Sequence, residues 1–393
     1  MATPIYFVPP LSMSIDLATL AYYAIKNKFS KKLTLDVEFD NPKKEVSALI
    51  PAYNEGERLN HTVESIIKQT YPVRDIYILD DLSTDNTKKV CESLTEKYPK
   101  VKHVRRNVKG GKAGNINAII KERGKELADY ILVVDGDVEL EKECLENLVS
   151  STEEGPVVTG FGYTRKPKTR IAGMLYEGEI WINSVFSFRK KAQVKRNSVF
   201  VVCGALSLYK KKILEEFPIP TRTLTEDTDH TWLLQERGFQ IMYNDKARAM
   251  GGNPDSLKGY WNRYVRWFSG TFQNIYVHGI KNLKKSKPLF YTTILPGVIE
   301  VVPYSIVISS LPALAYFEPD YAKGILAADF LLSVPFLFMH PKGFWQGVRH
   351  LPDIYAFKYF GSVVALYAGA KTTYEKIMGK QENWKNKWES TSR

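Results

Sequence analysis

The sequence predicts an α/β fold built on a mostly parallel sheet, flanked by amphipathic and transmembrane helices. Two observations carry that expectation. From Glu45 to about Met250, short β-rich runs alternate with helical stretches, and such alternation implies parallel strands joined by crossover helices. Beyond that region the chain carries long apolar runs of the length that bilayers accept.

Taken in order, Val46 to Ile50 reads as a buried strand and Leu59 to Gln69 as a helix. Ile76 to Leu79 is a second strand and Asn86 to Lys97 a second helix; Asn115 to Leu127 is helical and Tyr130 to Val134 is another strand. His230 to Arg237 forms a later helical stretch. Ligands in such sheets bind beyond the carboxyl ends of the strands. Acidic residues fall there: Asp80-Asp81 after one strand, Asp135 and Asp137 after another.

The membrane expectation rests on both ends. Pro4 to Ile25 are mostly apolar but contain Asp16 and Pro9-Pro10, with Lys26, Lys28, Lys31 and Lys32 directly after. A spanning helix needs about 20 apolar residues, so the fit is marginal. The basic cluster suits a cytoplasmic end; a helix lying on the soluble domain is the plainer alternative. Later, Pro288 to Phe317 and Gly324 to Met339 are apolar runs separated by the acidic turn Glu318-Pro319-Asp320. Basic residues flank them (Lys284, Lys285 and Lys287 before, Lys342, Arg349 and His350 after), as in a helical hairpin entering a bilayer from the cytoplasm. Glu300 and Asp329 are unusual in lipid, and Pro296, Pro303 and Pro312 would kink or break a spanning helix. Tyr359 to Ala370 is a third, weaker run. The chain thus divides into an N-terminal membrane helix (1–27), a cytoplasmic domain (28–258), amphipathic interface helices (259–287), a transmembrane region (288–372) and a cytoplasmic tail (373–393).

Bulk composition narrows the class. The 393 residues are 44% apolar and 25% charged, ordinary globular values that exclude a wholly embedded protein. A net charge of +12 points to an anionic membrane surface, nucleic acid or a phosphate-rich substrate. Nucleic acid is disfavoured, because Arg189-Lys190-Lys191 and Lys195-Arg196 come with no recognition helix or aromatic platform. Cys91, Cys144 and Cys203 form no CxxC pair, which argues for a reducing compartment and against zinc. The N-terminus lacks a basic n-region and a small-residue cleavage site, so no cleaved leader is expected.

Several segments could carry chemistry. Asp135 and Asp137, at i and i+2 on extended backbone, point to one face and can share a hard divalent cation with phosphate oxygens. Gly136 between them allows close backbone approach. A lone DxD is a weak signal. Asp80-Asp81 could bond a nucleobase or ribose, or simply precede a helix cap at Ser83, Asp85 or Asn86. Ala52-Tyr53-Asn54-Glu55 is a polar turn suited to wrapping a nucleoside, or merely a turn. Lys109-Gly110-Gly111-Lys112-Ala113-Gly114-Asn115 lacks the GxxxxGK[ST] spacing of a P-loop, although its lysine could still touch a diphosphate. Glu226-Asp227 at a helix start is commonly a dipole-stabilised cap; in a sugar-transfer site one carboxylate must take a proton from the attacking hydroxyl. Arg263, Arg266 and Trp267 share a helix with Tyr260, Trp261 and Tyr264: arginine forks onto diphosphates, and the plain alternative is an interfacial helix.

In this order the segments resemble the membrane-bound glycosyltransferase family 2 enzymes, the group containing cellulose, chitin, hyaluronan and poly-N-acetylglucosamine synthases. The resemblance runs from Val46 to Trp267. Ala52, Tyr53 and Glu55 with Asp80 and Asp81 look like the nucleoside-binding segments, and Lys112 to Asn115 like the family's KAGN loop. Asp135-Gly136-Asp137 looks like its DxD motif, Cys203-Gly204-Ala205 like its acceptor-contact segment, and Thr225-Glu226-Asp227 like its TED motif. Arg263 to Trp267 resembles QxxRW, the mark of processive members, with Arg263 in place of Gln.

The resemblance implies a GT-A nucleotide-sugar-binding fold at the cell membrane, multi-pass, with its catalytic domain in the cytoplasm. It implies a UDP-sugar donor, a carbohydrate or lipid-linked acceptor, contact with the lipid bilayer, and Mg2+ or Mn2+ on Asp135 and Asp137. Oligomers are compatible with it. Asp227 would be the catalytic base beside Glu226, Arg266 with Arg263 and Lys112 would face the diphosphate, and Trp267 would floor the acceptor subsite. Growth of a polysaccharide is the first expectation; single transfer to a lipid carrier or glycolipid is the alternative that Arg263 raises.

Overall fold

The computed structural model describes residues 10–29 and 44–384. Lys31, Lys32 and the end of the expected tail lie outside the described residues. The chain begins with α1 (Pro10–Phe29), β1 (Val46–Ala52), α2 (Arg58–Ile67), β2 (Asp75–Asp80), α3 (Thr87–Lys97) and β3 (Val101–Arg105). Next come α4 (Gly111–Arg123), β4 (Tyr130–Val134), β5 (Glu139–Leu140), α5 (Cys144–Ser150), β6 (Val157–Thr164) and α6 (Arg170–Arg196). They are followed by β7 (Leu206–Lys210), α7 (Lys211–Glu216), α8 (Glu226–Glu236), β8 (Ile241–Gly251) and α9 (Leu257–Leu283). The C-terminal part holds α10 (Lys287–Leu289), a π-helical turn at Phe290–Ile294, α11 (Leu295–Phe317), α12 (Pro319–Leu337), α13 (Phe344–Arg349) and α14 (Leu351–Ile377).

The eight strands form one sheet in the order β3-β2-β1-β4-β7-β6-β8-β5. Its first half is parallel, as alternation predicts, and all seven residues of β1 are buried, the mark of a strand covered on both faces. The second half corrects the expectation of a mostly parallel sheet. β7 runs antiparallel to both β4 and β6, β5 runs antiparallel to β8, and only β6 and β8 are parallel there. That reversal has a geometric result. Antiparallel pairing sets Leu206, the first residue of β7, opposite Val134, the last of β4. The Cys203-Gly204 segment is therefore delivered beside Asp135. In the same way Thr164 pairs with Gly251, which brings the end of β8 near the acidic turn after β4.

Two helix starts differ from expectation by about a turn. α4 begins at Gly111, so Lys112 to Asn115 lie on its first turn rather than in a loop. Its cap is tertiary: Asp81 accepts hydrogen bonds from the Gly110 and Gly111 amides at 2.8 and 3.2 Å, and Gly111 takes a left-handed φ of 63° that favours glycine. α8 begins at Glu226, directly after Thr225.

One hydrophobic core fills the space between the sheet and its helices. A second joins α6, α9, α11, α12 and α14 around Trp181, Trp232, Tyr260, Tyr264 and Phe357. α1 packs on α6. Asp16 is fully buried there, 2.6 Å from the Arg189 Nε and 2.5 Å from an Arg196 nitrogen, which accounts for an acid in an apolar run. Among the described residues, one helical stretch, Lys287–Phe317, is long and apolar enough to cross a membrane. Pro303 and Pro312 lie inside α11 without ending it. Asp329, in the run read as the second span, and Lys358, just before the third, are buried against each other at 2.7 Å, with the Tyr304 hydroxyl on Asp329 at 2.8 Å. Among the described residues the expected multi-pass arrangement is supported by one candidate span alone.

Candidate active site

The site lies beyond the carboxyl ends of β1, β2 and β4, where three turns are laced together. After β1, Asn54 and Gly56 adopt left-handed conformations. Asn54 donates its amide to the Ser83 hydroxyl at 3.0 Å and accepts from the Thr84 amide at 2.8 Å. The Thr62 hydroxyl donates to the Gly136 carbonyl at 2.9 Å. Tyr53 stands half-buried at this rim with the Lys109 ammonium 4.0 Å from its ring centre. An aromatic face with a cation beside it can bind a base and its phosphates.

Asp135 and Asp137 follow β4, and Glu55 joins them: a Cβ on Gly136 would lie 2.9 Å from the Glu55 Cγ, and one on Gly252 would lie 2.7 Å from an Asp137 oxygen. Burial first, then the charges of Asp137 and Asp135, push the Glu55 carboxyl up to about 8, against the opposing pull of Arg58. Burial and Asp135 likewise raise Asp137. Two cations face these three carboxylates: Arg58, 3.7 Å from Glu55, and Lys112, paired with Asp135. Negative charge is thus concentrated and under-compensated, as a cation site requires. Among the described residues no three candidate side chains form a ready-made cage. Small hard cations such as Mg2+ and Mn2+ are commonly held by one or two carboxylates plus substrate phosphates. Asp135 and Asp137 fit the role.

The Lys112 ammonium on α4 bridges the two acidic centres. It pairs with Asp135 and donates to the Gly204 carbonyl at 2.7 Å. Burial disfavours its charge, but Asp135, Glu226 and Asp227 around it outweigh that and hold its pKa above the usual lysine value. A Cβ on Gly204 would sit 2.9 Å from the Asp227 Oδ2 and 3.3 Å from the Lys112 Nζ. Asp227 therefore faces the aspartate pair across a lysine, and Gly204 leaves room for both. Its Oδ1 accepts from the Thr228 amide at 2.7 Å, which orients Oδ2. The Thr231 hydroxyl ties the Asp227 carbonyl to the Val202 amide, anchoring α8 to the Cys203 segment. The Cys203 amide itself donates to the Thr159 hydroxyl at 2.7 Å. Glu226 is buried; burial and Asp227 raise its pKa, while Lys112 and Arg266 act against the rise.

α9 runs along the Thr225-Glu226-Asp227 segment by a stripe that sequence reading missed. Gly270 approaches Thr225 so closely that a Cβ would meet its hydroxyl oxygen at 2.4 Å. The Asn274 amide donates to that hydroxyl at 3.0 Å, and Gln273 accepts from the Leu224 amide at 2.9 Å. His278 bonds Asp229 and Glu236 of α8 at 2.8 and 2.7 Å. The spacing of Arg266, Gly270, Asn274 and His278 was the available signal, because residues four apart share one helix face. Arg266 interacts electrostatically with Glu226, and its Nε is buried without a hydrogen-bond partner, a donor left available to a ligand. Trp267 is half-buried against Tyr264, ring centres 5.0 Å apart.

Four of the expected site residues are held by protein partners. Arg263 turns to Glu179 of α6, bonding its two oxygens at 2.9 and 3.0 Å, and stacks among Tyr260, Tyr264 and Trp267. The reason is Glu179, fully buried and in need of a cation. Asp80 is buried on Arg105 and the Ser83 amide; burial opposes its charge, yet His103, Ser83 and Arg105 hold it below the usual carboxylate range. Asp81 is taken by the α4 cap and by the Asn115 side chain at 2.8 Å. Ala52 is core.

A mixed sheet that gathers a carboxylate pair, a lysine and a helix-start aspartate beyond the carboxyl ends of its inner strands has the architecture of a GT-A-like glycosyltransferase. Residues 47–217 match the family model for Glycosyl transferase family 2. The chain carries a glycosyltransferase family 2 domain, and it is a glycosyltransferase. It is 26% identical over 308 residues (77% of this chain, 73% of the relative) to a poly-beta-1,6-N-acetyl-D-glucosamine synthase of Staphylococcus epidermidis. A second S. epidermidis protein of that name is 28% identical over 268 residues, and the match spans 63% of its length. The fold resembles a Pyrobaculum calidifontis mannosyltransferase, solved with GDP-Man and Mn2+, at a TM-score of 0.60 and 18% identity, covering 91% of this chain and 98% of that one.

Proposed function

We propose that the protein transfers a hexose or N-acetylhexosamine, with inversion, from a UDP-sugar to the growing end of a polysaccharide at a membrane. The observation that carries this reading is the meeting of Asp135, Lys112, Gly204 and Asp227 at one point. Tyr53 and Lys109 would hold the nucleoside end of the donor. Asp135 and Asp137 would hold Mg2+ or Mn2+, which when bound supplies positive charge to the diphosphate. Asp227 accepts the proton of the acceptor hydroxyl as that oxygen attacks the anomeric carbon, and the bond to UDP breaks on the opposite face. Lys112 and Arg266 stabilise the departing diphosphate. Trp267 floors the acceptor subsite. The names of the relatives support N-acetylglucosamine as the sugar.

Membrane contact is supported by Lys287–Phe317 and by its exposed residues Ile299, Ile306, Tyr316 and Phe317, with Lys284 and Lys285 at the entry. A translocation path needs several spanning helices, and the described residues hold one candidate, so a second reading is transfer of one sugar to a lipid-linked acceptor. The test is incubation of purified protein with a panel of UDP-sugars and either metal, following UDP release and product size. Long products establish polymerisation, single-sugar products the second reading, and no turnover with any UDP-sugar refutes both. Base catalysis contributes about 10²–10⁴-fold, so Asp227→Asn should lose turnover by that factor and still bind UDP; full activity would remove Asp227 from the role.

A further inference from the structure

The His278 side chain is buried in the second core, far along α9 from Arg266. Twelve residues separate the two, which is about 18 Å of helix. Both ring nitrogens face carboxylates: Nδ1 lies 2.7 Å from Glu236 and Nε2 lies 2.8 Å from Asp229. An imidazolium, with an N–H donor at each nitrogen, satisfies both contacts at once. Asp229 is held in turn by a two-pronged pairing with Arg222, both distances 2.9 Å. The charged groups facing His278 are thus Asp229 and Glu236 from α8 and, across Asp229, Arg222 from the preceding loop. Burial lowers the imidazole pKa, but the two carboxylates outweigh it and raise the value above that of a free histidine. The helix supports the same state. Its backbone breaks at Gly279 (φ 62°, ψ 159°), so the first segment of α9 ends at His278, where the dipole favours a cation.

α8 carries Asp227 and α9 carries Arg266, and the two helices touch along a line. At one end Gly270 and Asn274 meet Thr225. At the other end the contact is His278. A line fixed at both ends cannot pivot. We infer that His278 is a positioning residue for sugar transfer, tying the helix that bears Asp227 to the helix that bears Arg266 and so setting the distance between base and diphosphate cation. The inference rests on the roles given to those two residues under the proposed function.

The test uses the full-length protein with UDP-N-acetylglucosamine as the probe, measuring kcat and KM against pH, with unfolding midpoints for every variant. In the native protein kcat falls on the alkaline side as His278 loses its proton. Glu236→Gln, nearly isosteric, removes one of the carboxylates that hold that proton, and moves the alkaline limb to lower pH with the donor KM little changed. His278→Leu lowers kcat about ten- to a hundredfold, since a displacement of about 1 Å costs up to about 10²-fold, and it has no such limb. His278→Gln, keeping one donor, recovers part of the loss. A folded Glu236→Gln protein with an unmoved limb, or His278→Leu with native kcat, overturns the inference. Asp227→Asn serves as the control. If it stays fully active, Asp227 is not the base and the proposed roles on which the inference rests have failed; if it is inactive while folded Glu236→Gln keeps the native limb, only the inference has.

Discussion

Replacing Arg263 by Gln would restore the first residue of the QxxRW pattern, and pattern matching alone would rate the change as harmless or beneficial. The structure requires the opposite. Glu179 is fully buried, and Arg263 is the cation that balances it, with the Tyr264 and Tyr260 hydroxyls at 3.1 and 3.3 Å as further donors. Removing one partner of a buried ion pair costs about 3–5 kcal/mol, because the remaining charge is left uncompensated. Gln can offer one amide donor and the two tyrosines remain, so the loss should fall at the low end, about 3 kcal/mol. Urea or guanidinium unfolding followed by tryptophan fluorescence measures it as a lowered midpoint at constant slope. The companion Glu179→Gln/Arg263→Gln removes both charges and should recover most of the loss. A single Arg263→Gln protein less than about 1 kcal/mol below the native one would show that the Arg263–Glu179 pair is not what holds α6 to α9.

Other outcomes follow from the same contacts. Gly270→Ala places a methyl 2.4 Å from the Thr225 hydroxyl, so α9 must move outward; overpacking of this kind costs about 1–3 kcal/mol, and thermal unfolding together with UDP release should both register it. Asp80→Asn should lower stability at neutral pH. Because the folded carboxyl titrates below its unfolded value, that contribution is present above the ordinary carboxylate range and is lost only as pH falls through the depressed value, so the gap to native protein should persist at pH 4 and close below it. Asp137→Asn should weaken the dependence of turnover on added Mg2+ or Mn2+, read as a higher metal concentration at half-maximal rate.

Much of the first half of the sheet could be read from the chain, because β1, β2 and β4 are short β-rich runs between helices and each ends in a turn with visible chemistry. The triplets Asp135-Gly136-Asp137 and Thr225-Glu226-Asp227 were equally legible, since side chains two or fewer residues apart need no long-range information to be grouped. What escaped had partners far away in sequence. The antiparallel insertion of β7 depends on pairing with β4, which lies more than seventy residues earlier. α6 buries Glu177, Glu179, Arg189 and Gln193 alongside its apolar residues, so it shows no clean hydrophobic stripe. Arg263 was given a phosphate because its true partner sits 84 residues upstream. The early start of α4 was hidden for a related reason, as its cap comes from Asp81 in the turn after β2 and not from a neighbouring Ser, Thr or Asn.

The clamp on Asp16 bears on how the enzyme can be trimmed. Cutting away α1 to obtain a shorter protein would deprive Arg189, itself buried, and Arg196 of their shared carboxylate, and would uncover a cationic patch on the helix that also carries Glu179. Shortened versions that keep the sheet intact should therefore handle poorly in low salt, and a compensating Arg189→Leu or Arg189→Met exchange is the natural remedy.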